Sequence, residues 1–119
     1  MDKFRPDLFL PLTPVAFEIL LALADGERHG YSILQEVERR SDGAVSLHAG
    51  TLYRALARLL ESELIDEVSE APDRKNDDER RRYYRLTSRG IAVAKAEVAR
   101  LEGQVAAARS RRLLKGVRT

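Results

Sequence analysis

Ala49-Gly50-Thr51-Leu52-Tyr53-Arg54-Ala55-Leu56-Ala57-Arg58-Leu59-Leu60-Glu61-Ser62 reads as a single amphipathic helix. Wound at 3.6 residues per turn, it places Leu52, Leu56 and Leu59 on one side. Gly50, Thr51, Arg54 and Arg58 fall on the other. One face is core, and the opposite face is small, polar and basic. Arg54 and Arg58 stand one helical turn apart, so both point the same way. Tyr53 projects to the flank of the apolar stripe, where it either packs or hydrogen-bonds a phosphate.

Working back toward the N-terminus, Tyr31 to Arg40 is a second helix with Tyr31, Leu34 and Val37 on one face, stopped by Ser41-Asp42-Gly43. Asp25-Gly26-Glu27-Arg28-His29-Gly30 is the turn before it. Thr13-Pro14 has the form of an N-cap followed by proline at the first helical position. The run that follows, Val15 to Ala24, is apolar apart from Glu18. A helix hydrophobic all round is buried on more than one side. In so short a chain the second side is expected to meet another subunit. Residues 1–12, with Pro6, Pro11, Phe4, Leu8, Phe9, Leu10 and Leu12, read as an extended arm that covers something.

Toward the C-terminus, Leu64–Glu70 and Arg82–Thr87 are two candidate strands joined by a Pro-, Asn- and charge-rich loop. Thr87 then caps a long last helix. In it Ile91, Ala94, Val98, Leu101, Val105 and Ala108 alternate spacings of three and four, a heptad seam. The expected division is an N-terminal arm (1–12), a folded head (13–87), a C-terminal dimerisation helix (88–115) and a tail (116–119).

Composition narrows the function classes. The 119 residues carry 44% hydrophobic and 34% charged residues, which suits one folded, soluble domain. There is no cysteine, so disulfides, thiolate zinc sites and thiol nucleophiles are excluded. His29 and His48 are isolated, without a nearby acidic cluster, and make a poor metal site. No cofactor is expected. No apolar stretch approaches the ~18 residues of a membrane span, and Met1 to Pro6 lacks the pattern of a secretory signal, so a cytoplasmic protein without a membrane partner is expected. A phosphate-binding glycine loop, a nucleophile elbow and a metal-ligand cluster are all missing, and carboxylates fall mainly on predicted surfaces, which argues against an enzyme. Net charge is only +2, but it is unevenly spread: residues 109–119 hold Arg109, Arg111, Arg112, Lys115 and Arg118 and no acid.

The order helix, helix, turn, helix, two-stranded hairpin is that of a winged helix-turn-helix: a mainly α fold with a small two-stranded β wing, followed by a long C-terminal dimerisation helix. Its third helix is sized for the major groove of double-stranded DNA. Arg54 and Arg58 would point into that groove, while Gly50 and Thr51 at the helix start would offer free N–H groups to a phosphate. Arg74, Lys75, Arg80, Arg81 and Arg82 around the hairpin loop suit the DNA backbone. The alternative at this stage is a winged-helix protein-interaction module whose basic face meets an acidic partner.

At this point the sequence resembles the PadR family of bacterial transcriptional regulators. The match is carried by Leu12-Thr13-Pro14, by His29-Gly30-Tyr31-Ser32-Ile33 and by Gly50-Thr51-Leu52-Tyr53-Arg54-Ala55-Leu56. It continues in Arg82-Tyr83-Tyr84-Arg85-Leu86-Thr87-Ser88-Arg89-Gly90. The resemblance implies a last helix that dimerises; with the heptad seam and the apolar arm and first helix, the expected homodimer interface is Phe9, Phe17, Ile91, Ala94, Val98, Leu101, Val105 and Ala108. It also implies a repressor of nearby genes, often released by a small molecule. Such a small apolar or aromatic effector would sit near Phe9, Phe17, Val98 and Leu101. The chain departs from the family pattern in several places, among them a C-terminal helix short beside the larger members and the absence of the tryptophan that some compact members use to stack flat ligands. Glu63 stands where a glycine usually follows the recognition helix, so a different helix end is expected. His48 stands at the cap where Ser or Thr is usual. Asp77-Asp78-Glu79 at the wing tip would repel phosphate.

Overall fold

The fold begins where a hydroxyl replaces a missing backbone partner: the Thr13 Oγ1 accepts the Ala16 N–H at 3.1 Å, and Pro14 follows at the position where its absent N–H costs nothing. The structure is a computed structural model that describes residues 3–44, 47–68 and 82–113. After a short 3-10 turn at Pro6–Phe9, its elements are α1 (Pro14–Ala22), β1 (Arg28–His29), α2 (Gly30–Arg40), α3 (Ala49–Glu61), β2 (Ile65–Val68), β3 (Tyr83–Leu86) and α4 (Ser88–Ser110). The core is a single cluster built from Ile19 and Leu20 of α1, Ile33 and Val37 of α2, and Leu52, Leu56 and Leu59 of α3. Leu64, Ile65, Tyr84 and Val93 close it from the sheet and α4.

The expected mainly α winged helix-turn-helix is present, with one difference in the sheet. It has three antiparallel strands in the order β1-β3-β2, with Arg28 opposite Tyr84 and Ile65 opposite Leu86. The additional strand comes from the turn before α2. It covers the edge of β3 that a two-stranded wing would leave open. Arg28 holds it there, its Nε donating to the Ala22 carbonyl at 2.7 Å and its Nη1 to the Ser32 hydroxyl at 3.0 Å. The next residue, His29, caps α2: its Nδ1 accepts the Ser32 N–H at 3.1 Å.

The buried stripe of α2 is Gly30, Ile33 and Val37 rather than the expected Tyr31, Leu34 and Val37, because Ile33 and Val37 face the core. Tyr31 is 58% exposed. A Cβ on Gly30 would overlap the hydroxyl end of the 43% exposed Tyr53, which would have to shift. Gly90 is needed more strictly. It lies in the first turn of α4, where the Thr87 hydroxyl accepts its N–H at 3.0 Å, and a Cβ would run into the Leu64 carbonyl.

The end of α3 corrects the expectation about Glu63. The helix closes as if glycine were present, with Glu63 at φ 65, its N–H on the Leu60 carbonyl and the Leu64 N–H on the Leu59 carbonyl, both at 3.0 Å. The L-residue bears the strain of the left-handed conformation. Glu63→Gly should therefore stabilise the fold by about 1 kcal/mol. A thermal melt should show Tm raised by about 4 °C. An unchanged or lowered Tm would mean that the 3.6 Å ion pair from Glu63 to Arg89 outweighs the strain.

The last helix also ends earlier than expected, at Ser110 instead of residue 115. Arg112 turns to φ 63 and the Leu113 N–H closes back on the Ala108 carbonyl at 2.9 Å. The arm is tied to α4 by a buried carboxylate. Glu97 is 2% exposed and accepts the Leu12 N–H at 3.2 Å and the Arg100 guanidinium at 2.6 and 3.0 Å. Phe4 and Phe9 add a ring pair at 5.6 Å, and Arg89 lies 4.7 Å over Phe4.

The Arg100 guanidinium, helped by the Leu12 N–H, holds the Glu97 carboxyl below its ordinary pKa of 4.5. A carboxylate depressed in the folded state stabilises the fold above its unfolded pKa, and that contribution disappears as pH falls through the lower, folded value. Glu97→Ala should cost about 2 kcal/mol at neutral pH by leaving the Leu12 N–H and the guanidinium unmatched. The loss relative to the unmodified chain should shrink below pH ~4. Urea melts across pH check both; equal stability of the two proteins at pH 7 would contradict the role given to Glu97.

Candidate nucleic-acid interface

Helix α3 is fixed from behind. Leu52 and Leu56 are 0% and 1% exposed, so the helix cannot rotate without opening the core. What remains outside follows from its winding: Gly50, Arg54 and Ala57 run down the middle of the exposed face, with Glu61 at its far end. Arg58 lies to the side of the arm, and Tyr53 to the side of α2. The basic character is therefore concentrated in the first two turns, and Glu61, which the sequence reading did not weigh, makes the far end acidic. Thr51 is half-buried on the flank rather than on the open face.

Arg54 and Arg58 are exposed, and neither forms an ion pair among the described residues. Elsewhere in the head arginines are matched: Arg28 to Glu36 at 3.6 Å, Arg40 to Glu18, and Arg85 to Asp66 at 3.8 Å. The Arg54 guanidinium folds toward the helix start, close enough that a Cβ on Gly50 would lie 3.6 Å from its Nη1. His48 stands at the cap but its side chain makes no capping hydrogen bond, so it leaves first-turn N–H groups uncovered beside that guanidinium. A cation and a helix dipole of the same sign thus share one end of α3, an arrangement suited to an anion.

Tyr53, 43% exposed, leans its ring and hydroxyl against Gly30 at the start of α2, so packing is its structural role. Of the residues expected around the hairpin, Arg82 is exposed just before β3 and pairs with Glu67 at 3.4 Å. Arg74, Lys75, Arg80, Arg81 and the acidic tip Asp77-Asp78-Glu79 lie outside the described residues. Among the described residues no helix is long and apolar enough to cross a membrane, and no group of His, Asp and Glu is placed to hold a metal ion.

A second surface lies on α4. Ile91, Val98 and Val105, seven residues apart, are 44%, 40% and 45% exposed, an apolar stripe running the length of the helix. Its proximal half borders a cleft of about 700 Å³ lined by Leu21, Leu23, Leu86, Ile91, Ala94 and Val98. Its distal half continues as a groove past Leu101 and Val105. Ala94, Leu101 and Ala108 are half-buried, as is Phe17. Phe9, expected at the same interface, is half-buried and packs on the core of its own chain together with Phe4, Leu10 and Leu12.

Residues 19–96 match the Transcriptional regulator PadR-like family. The chain belongs to this family. That span contains α2, α3, the sheet and the first third of α4, so family membership covers the helix-turn-helix and its wing. The PadR-like family is one of transcriptional regulators and not of enzymes. Among solved structures, the chain is similar to a transcriptional regulator from Clostridium thermocellum, with 28% identity, a TM-score of 0.68 and coverage of 81% of this chain and 90% of that one. An uncharacterized protein of Lysinibacillus sphaericus is 35% identical over 78 residues, 62% of this chain and 65% of that protein. An uncharacterized 37.1 kDa protein in a transposon of Streptomyces fradiae is 38% identical over 90 residues, 73% of this chain and 24% of that protein. The chain thus spans less than two thirds of either relative's length.

Proposed function

We propose that this PadR-like chain is a homodimeric, cytoplasmic repressor that reads an inverted-repeat operator in double-stranded DNA with α3 and is released by a small molecule. The observation that carries the DNA reading is the outer face of α3, where Arg54 and Arg58 stand exposed without a charged partner among the described residues on a helix whose other face is locked in the core. Gly50 leaves the backbone open to close approach, and the arginines supply bidentate donors for guanine or phosphate. The arginines and lysine around the hairpin contact the backbone and set register rather than sequence.

Dimerisation is supported by the stripe Ile91, Val98 and Val105. A helix that exposes an apolar residue every seven positions along its length is stable in water when a second helix covers it. In the proposed dimer the distal half of one α4 fills the cleft beside the partner's α1, and two-fold symmetry sets the reading helices roughly 34 Å apart, one turn of duplex. Fluorescence anisotropy on the duplex upstream of its own coding sequence, against a shuffled duplex, tests the reading. A preference of at least about 1,000-fold at moderate salt is expected for a specific site; equal affinity for both would refute it.

A further inference from the structure

Val98 lines both surfaces of α4, the cleft shared with α1 on its proximal side and the groove past Leu101 and Val105 on its distal side. Each surface also holds one charged residue that follows the apolar seam by a single position. Lys95, after Ala94, lines the cleft, and Glu102, after Leu101, lines the groove one heptad further on. We propose that Lys95 and Glu102 form reciprocal ion pairs with their counterparts in a second copy, and that these pairs fix an antiparallel crossing of the two α4 helices at Val98. The inference deepens the dimer of the preceding section by naming what sets its direction and register, and it rests on that reading for the second copy itself.

Three observations carry it. Lys95 and Glu102 are exposed, and neither forms an ion pair among the described residues. The other basic residue of the cleft, Arg85, is held by Asp66 at 3.8 Å. The opposite flank of α4 is closed: Gly90 and Glu97 are buried, and Glu97 is engaged by Arg100 and the Leu12 N–H of its own chain. A second helix therefore meets the stripe and the flank of Lys95 and Glu102. Parallel helices bring opposite flanks together, whereas a two-fold across the helix axes brings the same flank of each together. With Val98 on that two-fold, Ile91 faces the partner's Val105 and Lys95 faces the partner's Glu102. The same operation sets Glu102 against the partner's Lys95, so one sequence completes both pairs. Asp25 and Glu27 also line the cleft, and without Lys95 an entering carboxylate would meet them unopposed.

The DNA-free full chain is tested by sedimentation equilibrium at low ionic strength, where exposed charges are least screened. Lys95→Glu and Glu102→Lys each place like charges at both contacts, and each should weaken self-association by at least about tenfold. Mixing the two variants makes both contacts opposite in charge again, so mixed dimers should form with close to the unmodified affinity. Isotope labelling of one variant lets native mass spectrometry count those mixed dimers. Such a rescue separates pairing from damage to the fold. Direction is read by disulfide capture, since the chain has no cysteine of its own. Ile91→Cys should couple to Val105→Cys but not to itself, because its own counterpart lies roughly 21 Å away along the axis. A dimer indifferent to both charge reversals, a mixture no tighter than its components, or self-coupling of Ile91→Cys would overturn the proposal and leave the dimer standing. A monomeric unmodified chain would overturn both.

Discussion

Arg54→Ala combined with Arg58→Ala is expected to lower affinity for the operator by about a hundredfold or more while leaving the fold intact. Each arginine placed on a base edge or phosphate contributes about 1–3 kcal/mol, and the pair together accounts for that loss. The fold should survive because both side chains are exposed and neither is engaged in an ion pair among the described residues. Anisotropy titrations at several salt concentrations also separate what each arginine does. If one contacts phosphate, its removal weakens all sequences alike and lowers the salt slope by about one; if it reads a base, discrimination between operator and shuffled duplex falls instead. Arg54, beside the uncapped helix start, is placed for the backbone or the first base pair. Affinity unchanged in the double variant would remove α3 from the interface.

The second large effect is expected from Val98→Glu combined with Val105→Glu. These two positions are chosen over Leu101 because they are 40% and 45% exposed in the single chain, whereas Leu101 is half-buried. A carboxylate at either costs the monomer little, but at a two-chain seam it places unpaired charge in an apolar contact, a penalty of several kcal/mol. Sedimentation should show a monomer with an unchanged melting profile. Operator affinity should fall by at least about a hundredfold, because each half-site must then be bound separately. A variant that stays dimeric would move the interface elsewhere.

Much of the fold is legible in the chain because its signals are local. Thr13-Pro14 and Thr87 act through groups three residues away, and the stripe of α3 is a matter of its own periodicity. The parts that escaped depend on distant partners. Nothing near Glu97 announces that it is buried, because the N–H it accepts belongs to Leu12, 85 positions earlier. The strand at Arg28–His29 is two residues long and exists because β3 presents an open edge. Tyr31 faces outward because Ile33 and Val37 take the core side of α2, and the capping role of His29 depends on its ring accepting the Ser32 N–H. Glu63 shows the converse case. The hydrogen bonds of the α3 terminus and the Thr87 hydroxyl on the Glu63 carbonyl at 2.8 Å impose a left-handed residue whatever side chain stands there.

For the site, the outer face of α3 is readable from spacing alone, and so is the seven-residue recurrence of Ile91, Val98 and Val105. Which flank Arg58 occupies is not, because the arm on that side is brought there by Glu97 and by the Phe4–Phe9 pair. The same latch gives the arm a role within its own chain.

The proposed recognition needs two copies of α3 to reach one face of a duplex together. Hydroxyl-radical footprinting of the upstream duplex, with stoichiometry measured by sedimentation in the same buffer, tests this most directly. Two chains per duplex and two protected patches centred about 10 base pairs apart, both lost with Arg54→Ala and Arg58→Ala, are the predicted result. One chain on one patch, or uniform protection that simply fades with salt, would contradict it.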